Sequence, residues 1–368
     1  MGEHGHMGKL SFRSATAVLL VFYIGSGHVI GMSSGLGVDG WLAQLAGFAL
    51  AAPLLLILAR LVQIMPGMGL YDMLEHTLGR WFAIIASILY FCYFLLLAAS
   101  VRLYHGTFLQ ITGLPNTPLL VILLTLFVVC TYLAKSGVLA VGKWSMILAA
   151  VLIVFAVGLT LFAIPSMRLQ NLLPLGTSGG RAIVEGGYRF ALFPFGEAVV
   201  LLALFGGLER KVNPYRLFLF GAALAVCFFA LTFLRDAAIL GGRSMDTLRY
   251  PHFQAASVIR VGGMETRIEF LATIPFVLAG LTKVAVCLLA ASGAVRGVFR
   301  FSSRGRVLIP VALASVGLSL ALFDGFLDMI SSSVVYWTAL PFLQVGIPLL
   351  MWGVAEAKNR GRPASAEK

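Results

Sequence analysis

Apolar stretches of about 18 or more residues recur along the whole of this 368-residue chain. Each is long enough to cross a hydrocarbon core of roughly 30 Å as a helix. Lipid offers the backbone no hydrogen-bond partner, so such stretches must form helices that satisfy their own N–H and C=O groups. Composition points the same way, with 60% of residues hydrophobic and 11% charged. We read the chain as an all-α membrane protein, a single integral membrane domain over residues 1–368. No small-residue cleavage site of the A-x-A kind precedes the first stretch, which is read as a retained helix and not a removed signal peptide.

About ten transmembrane helices are expected, near 14–34, 41–63, 82–104, 117–134, 144–164, 190–208, 215–239, 268–295, 307–323 and 333–355. Basic residues alternate between the connecting segments. Lys9 and Arg13, Arg60 and Arg80, Lys135 and Lys143, Arg210 and Lys211, Arg296 to Arg306, and Lys358 to Arg362 all fall on one side. That asymmetry puts both termini in the cytoplasm. The other side carries bases in two long loops, which translocate with little regard to charge. The formal net charge of +12 is therefore read as loop retention and contact with anionic membrane lipid, with no nucleic acid partner. His4 and His6 lack Cys or carboxylate partners. Cys92, Cys130, Cys227 and Cys287 lie inside apolar stretches without C-x-x-C spacing and are read as packing residues. No metal or cofactor is expected.

Two spans are interrupted. In IGSGHVIGMSSGLG (24–37), Gly25 and Gly27 flank Ser26 at mid-membrane depth; in FPFGEA (193–198), Pro194 and Gly196 precede Glu197. Unwound backbone at that depth must be buried in protein or line a cavity. Spans one and six lie five apart and cross in opposite directions. This is the pattern of a 5+5 inverted-repeat, LeuT-type transporter fold with broken helices one and six. Its repeats are expected over 10–164 and 181–355, followed by a basic cytoplasmic tail, 356–368. The bland alternative is that these glycines only let helices approach closely.

A carboxylate near the bilayer centre costs about 2.5–3.5 kcal/mol on insertion scales, so Glu197 is expected to face the bundle interior. Lys283, midway along span eight, is its best candidate partner. Together they form an ion pair, bind ligand charges or relay a proton; alternatively, Glu197 caps the amides of its own break. In span three, Tyr90, Tyr93, Leu97 and Tyr104 share one helical face. That stripe is either packing or the wall of a site, and Tyr104 is equally an interfacial anchor. No H-E-x-x-H, G-x-S-x-G or P-loop motif supports an enzyme.

With these residues in hand, the chain resembles the B subunit of bacterial spore germinant receptors, a branch of the amino acid–polyamine–organocation transporter superfamily. The resemblance rests on GSG (25–27), DGW (39–41), YFLL (93–96), NLLP (171–174), FGE (195–197) and YPHFQAASVIRVGGMETRIEFL (250–271). The last, with Glu265, Arg267 and Glu269 opening span eight, is the most specific. It implies a non-enzymatic spore inner-membrane protein that binds a small germinant, often an amino acid. Such a subunit signals with a larger A subunit and a C-subunit lipoprotein. The ligand contacts it implies are Gly25, Ser26 and Gly27, Tyr93 and Leu97, Phe195, Gly196 and Glu197, and Thr282, Lys283 and Cys287. One departure stands out: Lys283 sits where a small hydroxyl residue is expected. A proton-coupled amino-acid transporter, with Glu197 or Lys283 titrating, is the alternative.

Overall fold

The structure is a computed structural model and describes residues 9–27, 35–259, 269–301, 304–321 and 340–360. Among the described residues, helices occupy the expected spans. They are α1 (Phe12–Gly27), α2 (Gly40–Ile64), a short α3 (Leu70–Leu78), α4 (Arg80–Thr112), α5 (Leu119–Lys135) and α6 (Val138–Ala163). Span six is α7 (Gly179–Leu192), a 3₁₀ helix (Phe195–Leu201) and a single turn, α8 (Leu202–Phe205). Then come α9 (Pro214–Leu240), the short α10 (Gly242–Thr247) and α11 (Pro251–Val258), α12 (Glu269–Phe299), α13 (Arg304–Ala321) and α14 (Ile347–Arg360).

Burial follows the apolar pattern of each helix. α1 is apolar all round, and every residue from Ser14 to Ser26 is buried. Such a helix belongs at the centre of a bundle, and α1 packs there against α12, α9 and α6. The outer helices keep a lipid-facing side, marked by exposed Val128 and Tyr132 on α5 and by Ile147 and Val154 on α6.

Three boundaries differ from the sequence expectation. α4 runs on to Thr112, through a stretch read as a loop after residue 104, because Leu103 to Phe108 are buried in the bundle. Tyr104 is 1% exposed and edge-on to Tyr250 and Phe276, so it packs inside the protein and is no interfacial anchor. α7 begins at Gly179, where Arg181, Glu185 and Arg189 suggested a loop. Its glycine face allows this: a Cβ on Gly186 or Gly187 would come within 3.0 or 2.8 Å of the Cβ of Ala43 or Ala46 on α2. Small residues on both sides let the two backbones meet. Third, α1 stays helical through Gly27, so Gly25–Ser26–Gly27 form its last turn instead of an unwound segment. Residues 28–34 of span one, and Glu265 and Arg267, lie outside the described residues.

The segments before α1 and after α8 are tied together at the face where α1 begins. The Leu10 N–H donates to the Gly207 carbonyl (2.8 Å), and the Glu209 N–H donates to the Leu10 carbonyl (3.0 Å). On the opposite face, Asp39 accepts from the N–H groups of Gly176 (2.7 Å) and Ser178 (3.0 Å). Asp246 there accepts from Gly35 and Gly37.

Candidate functional site

Span six breaks where its sequence removes backbone options. Phe193 is extended at the end of α7, and Pro194 brings no N–H to continue the ladder. The chain restarts as a 3₁₀ helix at Phe195. Gly196 sits in a close approach, since a Cβ there would lie 2.5 Å from Gln344 Oε1 and 3.3 Å from the Ala191 carbonyl. Glu197 follows, fully buried.

Its carboxylate reaches across the bundle and does not cap its own break. Lys283 Nζ on α12 donates to both Glu197 Oε2 and Ser26 Oγ. The Ser26 hydroxyl lies 3.4 Å from the same Oε2. All three residues have 0% exposure. Glu197 Oε1 has no hydrogen-bond partner among the described residues. The lysine nitrogen also sits 4.4 Å from the Phe22 ring centroid and 5.3 Å from that of Phe193, where aromatic faces favour a desolvated cation.

The glycines of α1 set this geometry. A Cβ on Gly25 would lie 2.6 Å from the Ala279 carbonyl oxygen and 3.1 Å from Lys283 Cβ, so its absence lets α1 press onto α12. A Cβ on Gly27 would run into the Phe229 ring of α9.

The remaining candidate residues divide. Phe195 packs its ring against Tyr23 (centroids 5.3 Å) and Phe48 (6.1 Å) behind the carboxylate. The Tyr93 hydroxyl accepts from Gln344 Nε2 (2.8 Å), and the same amide abuts Gly196, which links α4 to the break. Leu97 is wholly buried in the apolar core. Thr282 turns away from Glu197: its hydroxyl donates to the Leu278 carbonyl (2.8 Å) and accepts from Trp144 Nε1 (2.9 Å) on α6. Cys287 is buried one turn beyond Lys283.

Sequence reading missed Gln344, whose amide in span ten carries no motif. It also passed over two groups that were visible as ionisable residues in apolar runs. Arg102 on α4 is fully buried and donates from Nη1 to Ser315 Oγ on α13 (2.7 Å). Arg235 on α9 donates to Asp236 Oδ1 from Nε (2.8 Å) and Nη2 (2.7 Å), and Asp236 Oδ2 meets His252 Nδ1. Cavities flank the Lys283 centre on both sides. One, towards the face where α1 begins, is polar and includes Asp72, Glu75, Arg296 and Arg300. The other, towards the opposite face, is mostly apolar and reaches Ile24, beside Gly25.

Comparison with known proteins agrees with this architecture. Residues 9–324 match the family described as spore germination protein. Spore germination protein KB of Bacillus subtilis (strain 168) is 23% identical over 363 residues, covering 97% of each chain. Spore germination protein YndE of the same organism is 22% identical over 227 residues, 61% of this chain and 62% of that protein. Among solved structures, Mhp1, a nucleobase-cation-symport-1 family transporter in a closed conformation, superposes with a TM-score of 0.67 at 14% identity. That match covers 94% of this chain and 78% of Mhp1. A manganese transporter from Eremococcus coleocola gives a TM-score of 0.59 at 13% identity, covering 96% and 78%. The fold is thus the LeuT-type inverted repeat of such transporters, in an integral membrane protein. The chain belongs to the spore germination protein family.

Proposed function

We propose that this chain is the membrane subunit of a spore germinant receptor, and that it binds a zwitterionic nutrient, an amino acid, at the Ser26–Glu197–Lys283 centre. The observation that carries the reading is the internal ion pair itself, at the end of α1 and beside the break in span six. A buried lysine and a buried glutamate hold for each other the charges that an amino acid would bring. When the pair parts, Glu197 receives the ligand ammonium, and Lys283 with Ser26 receives its carboxylate. Neither protein charge is then left alone in a medium of low dielectric, which is the condition for a buried charge to be tolerated. Gly196 and Gly25 keep the two half-sites close enough for one small molecule to bridge them.

Parting this pair moves α1 relative to α12, a displacement that partner subunits can read. In this proposal the partners are the A subunit and the C-subunit lipoprotein, the membrane is the spore inner membrane, and both termini are cytoplasmic. The relatives' role in germination and the whole-chain match to spore germination protein KB support the assignment. The buried, titratable pair also keeps a second reading in view, a proton-coupled amino-acid transporter.

A time course of labelled amino-acid uptake into proteoliposomes holding this protein alone separates the two, with detergent-permeabilised vesicles reporting binding. The receptor reading expects saturable binding without accumulation, lost in the charge-free double variant Glu197→Gln/Lys283→Met. Accumulation above the bound amount makes the protein a transporter. Unchanged binding in the double variant removes the centre from the site.

A further inference from the structure

We propose that α3 is a hinged lid over the polar cavity at the face where α1 begins, and that Lys358 of α14 is the latch that holds it shut. The inference is independent of any ligand at the Lys283 centre.

Beside α3 lies open space and not packed core. The cavity encloses about 430 Å³, whereas protein interiors hold few voids larger than a water molecule. Leu70, Tyr71, Asp72 and Glu75 of α3 line one side of it. Small residues line the other, Ala203 of α8 and Ala290, Gly293 and Ala294 of α12. Ser87 of α4 is also in the wall, yet it is only 2% exposed. Ala290 is buried and stands seven residues after Lys283, about 10 Å along α12 at the helical rise per residue. A shift of α3 therefore opens a way for water towards the Lys283 centre from this face.

The chain on either side of α3 is able to pivot. Gly67 and Gly79 hold left-handed φ values of +84° and +81°, and a Cβ at either would meet nothing within 4 Å. Glycine there supplies backbone freedom and not close packing. A helix of nine residues is marginal by itself, so its docking contacts decide where α3 rests.

Three contacts dock it. At its start, the Met68 carbonyl oxygen lies 2.7 Å from where a Cβ on Gly206, just beyond α8, would stand. In its middle, the Tyr71 ring covers Gly297 of α12, where a Cβ would come within 2.3 Å of the ring. At its end, Lys358 Nζ donates to the carbonyls of His76 (2.7 Å) and Thr77 (3.0 Å). Those carbonyls belong to the last turn, which lacks intrahelical donors, and a cation there also suits the helix dipole. The latch is itself anchored, because Glu356, two residues earlier, accepts from Arg60 Nε of α2 (2.6 Å). By contrast, Glu75 and Arg300 are 3.8 Å apart and partly exposed, so that pair adds little.

The test is a rate of cysteine modification on the full chain in lipid nanodiscs. Ser87→Cys puts a thiol in the cavity wall, and mass spectrometry follows its reaction with a charged, water-soluble methanethiosulfonate. The unaltered protein gives the background from the native cysteines. Ser87→Cys should react slowly. Ser87→Cys/Lys358→Met should react on the order of tenfold faster or more, since no charged hydrogen bond then holds the lid. Cys130 and Cys287, both buried, should stay unmodified in each protein. Equal rates with and without Lys358, whether fast or slow, overturn the proposal. Modification of Cys130 or Cys287 alongside the new thiol also overturns it, because the whole bundle has then loosened. If the Lys358→Met protein does not fold, hydrogen exchange in the unaltered protein decides. Amides of α3 should then exchange at least about tenfold faster than those of residues 86–94 in α4, and equal protection overturns the lid.

Discussion

Lys283 on α12 and Glu197 beyond the break in span six form an ion pair in which neither side chain has any exposed surface. Ser26, at the last turn of α1, touches both. Three discontinuous pieces of chain are thus held by one pair of opposite charges.

Removing one partner strands the other. Glu197→Gln and Lys283→Met should each lower stability by about 3–5 kcal/mol, whereas the double variant should lose much less, because no unpaired charge remains. Thermal melting of the four proteins in one detergent checks this. Additive losses in the double variant would show that the two side chains do not support each other. All four should insert in the membrane, since the spans keep their apolar length.

The two glycines of α1 should respond differently to a methyl group. Gly25→Ala pushes against the Ala279 carbonyl, part of the rigid backbone of α12, and should cost about 1–3 kcal/mol with no side-chain substitution able to relieve it. Gly27→Ala pushes against the Phe229 side chain, so Phe229→Leu should restore most of the loss. Melting temperatures of Gly25→Ala, Gly27→Ala and Gly27→Ala/Phe229→Leu give the comparison.

Arg102 donates to Ser315 and has the Cys130 side chain beside it, while its Nε and Nη2 find no oxygen or nitrogen acceptor among the described residues. Replacing a buried and poorly compensated charge with an apolar side chain of similar volume is often neutral or stabilising by about 1–4 kcal/mol. Arg102→Met should therefore melt at the same temperature as the unaltered protein or higher. A clear drop would mean that the guanidinium is better compensated than its contacts with Ser315 and Cys130 suggest.

Asp39 joins the start of α2 to the segment ahead of α7 through the N–H groups of Gly176 and Ser178. Hydrogen bonds to a charged acceptor contribute about 1.5–3 kcal/mol. Asp39→Ala should speed hydrogen exchange at peptides covering 175–179 well beyond any change at α12. Equal effects at both places would indicate general destabilisation instead of a lost local tie.

Much of the fold was legible because lipid makes backbone satisfaction a one-dimensional problem. An apolar run of sufficient length has to be a helix, and a Pro–Phe–Gly–Glu string inside it has to be an interruption facing protein. Depth alone also nominated Lys283 as the partner of Glu197. Side-chain direction was not legible in this way. Successive residues on a helix point about 100° apart, so Thr282 faces Trp144 on α6 while Lys283, its neighbour, faces Glu197. Gln344 meets Tyr93 only because the last span packs beside α4 at that height. The helical state of α7 likewise needed its partner: Arg181, Glu185 and Arg189 read as loop until Ala43 and Ala46 of α2 are seen against Gly186 and Gly187. The sequence by itself determined that its long apolar runs are helices and that span six breaks at Pro194–Gly196. The relative rotation and spacing of packed helices decided which polar groups meet, because hydrogen bonds and ion pairs act over a few ångströms that no linear pattern records.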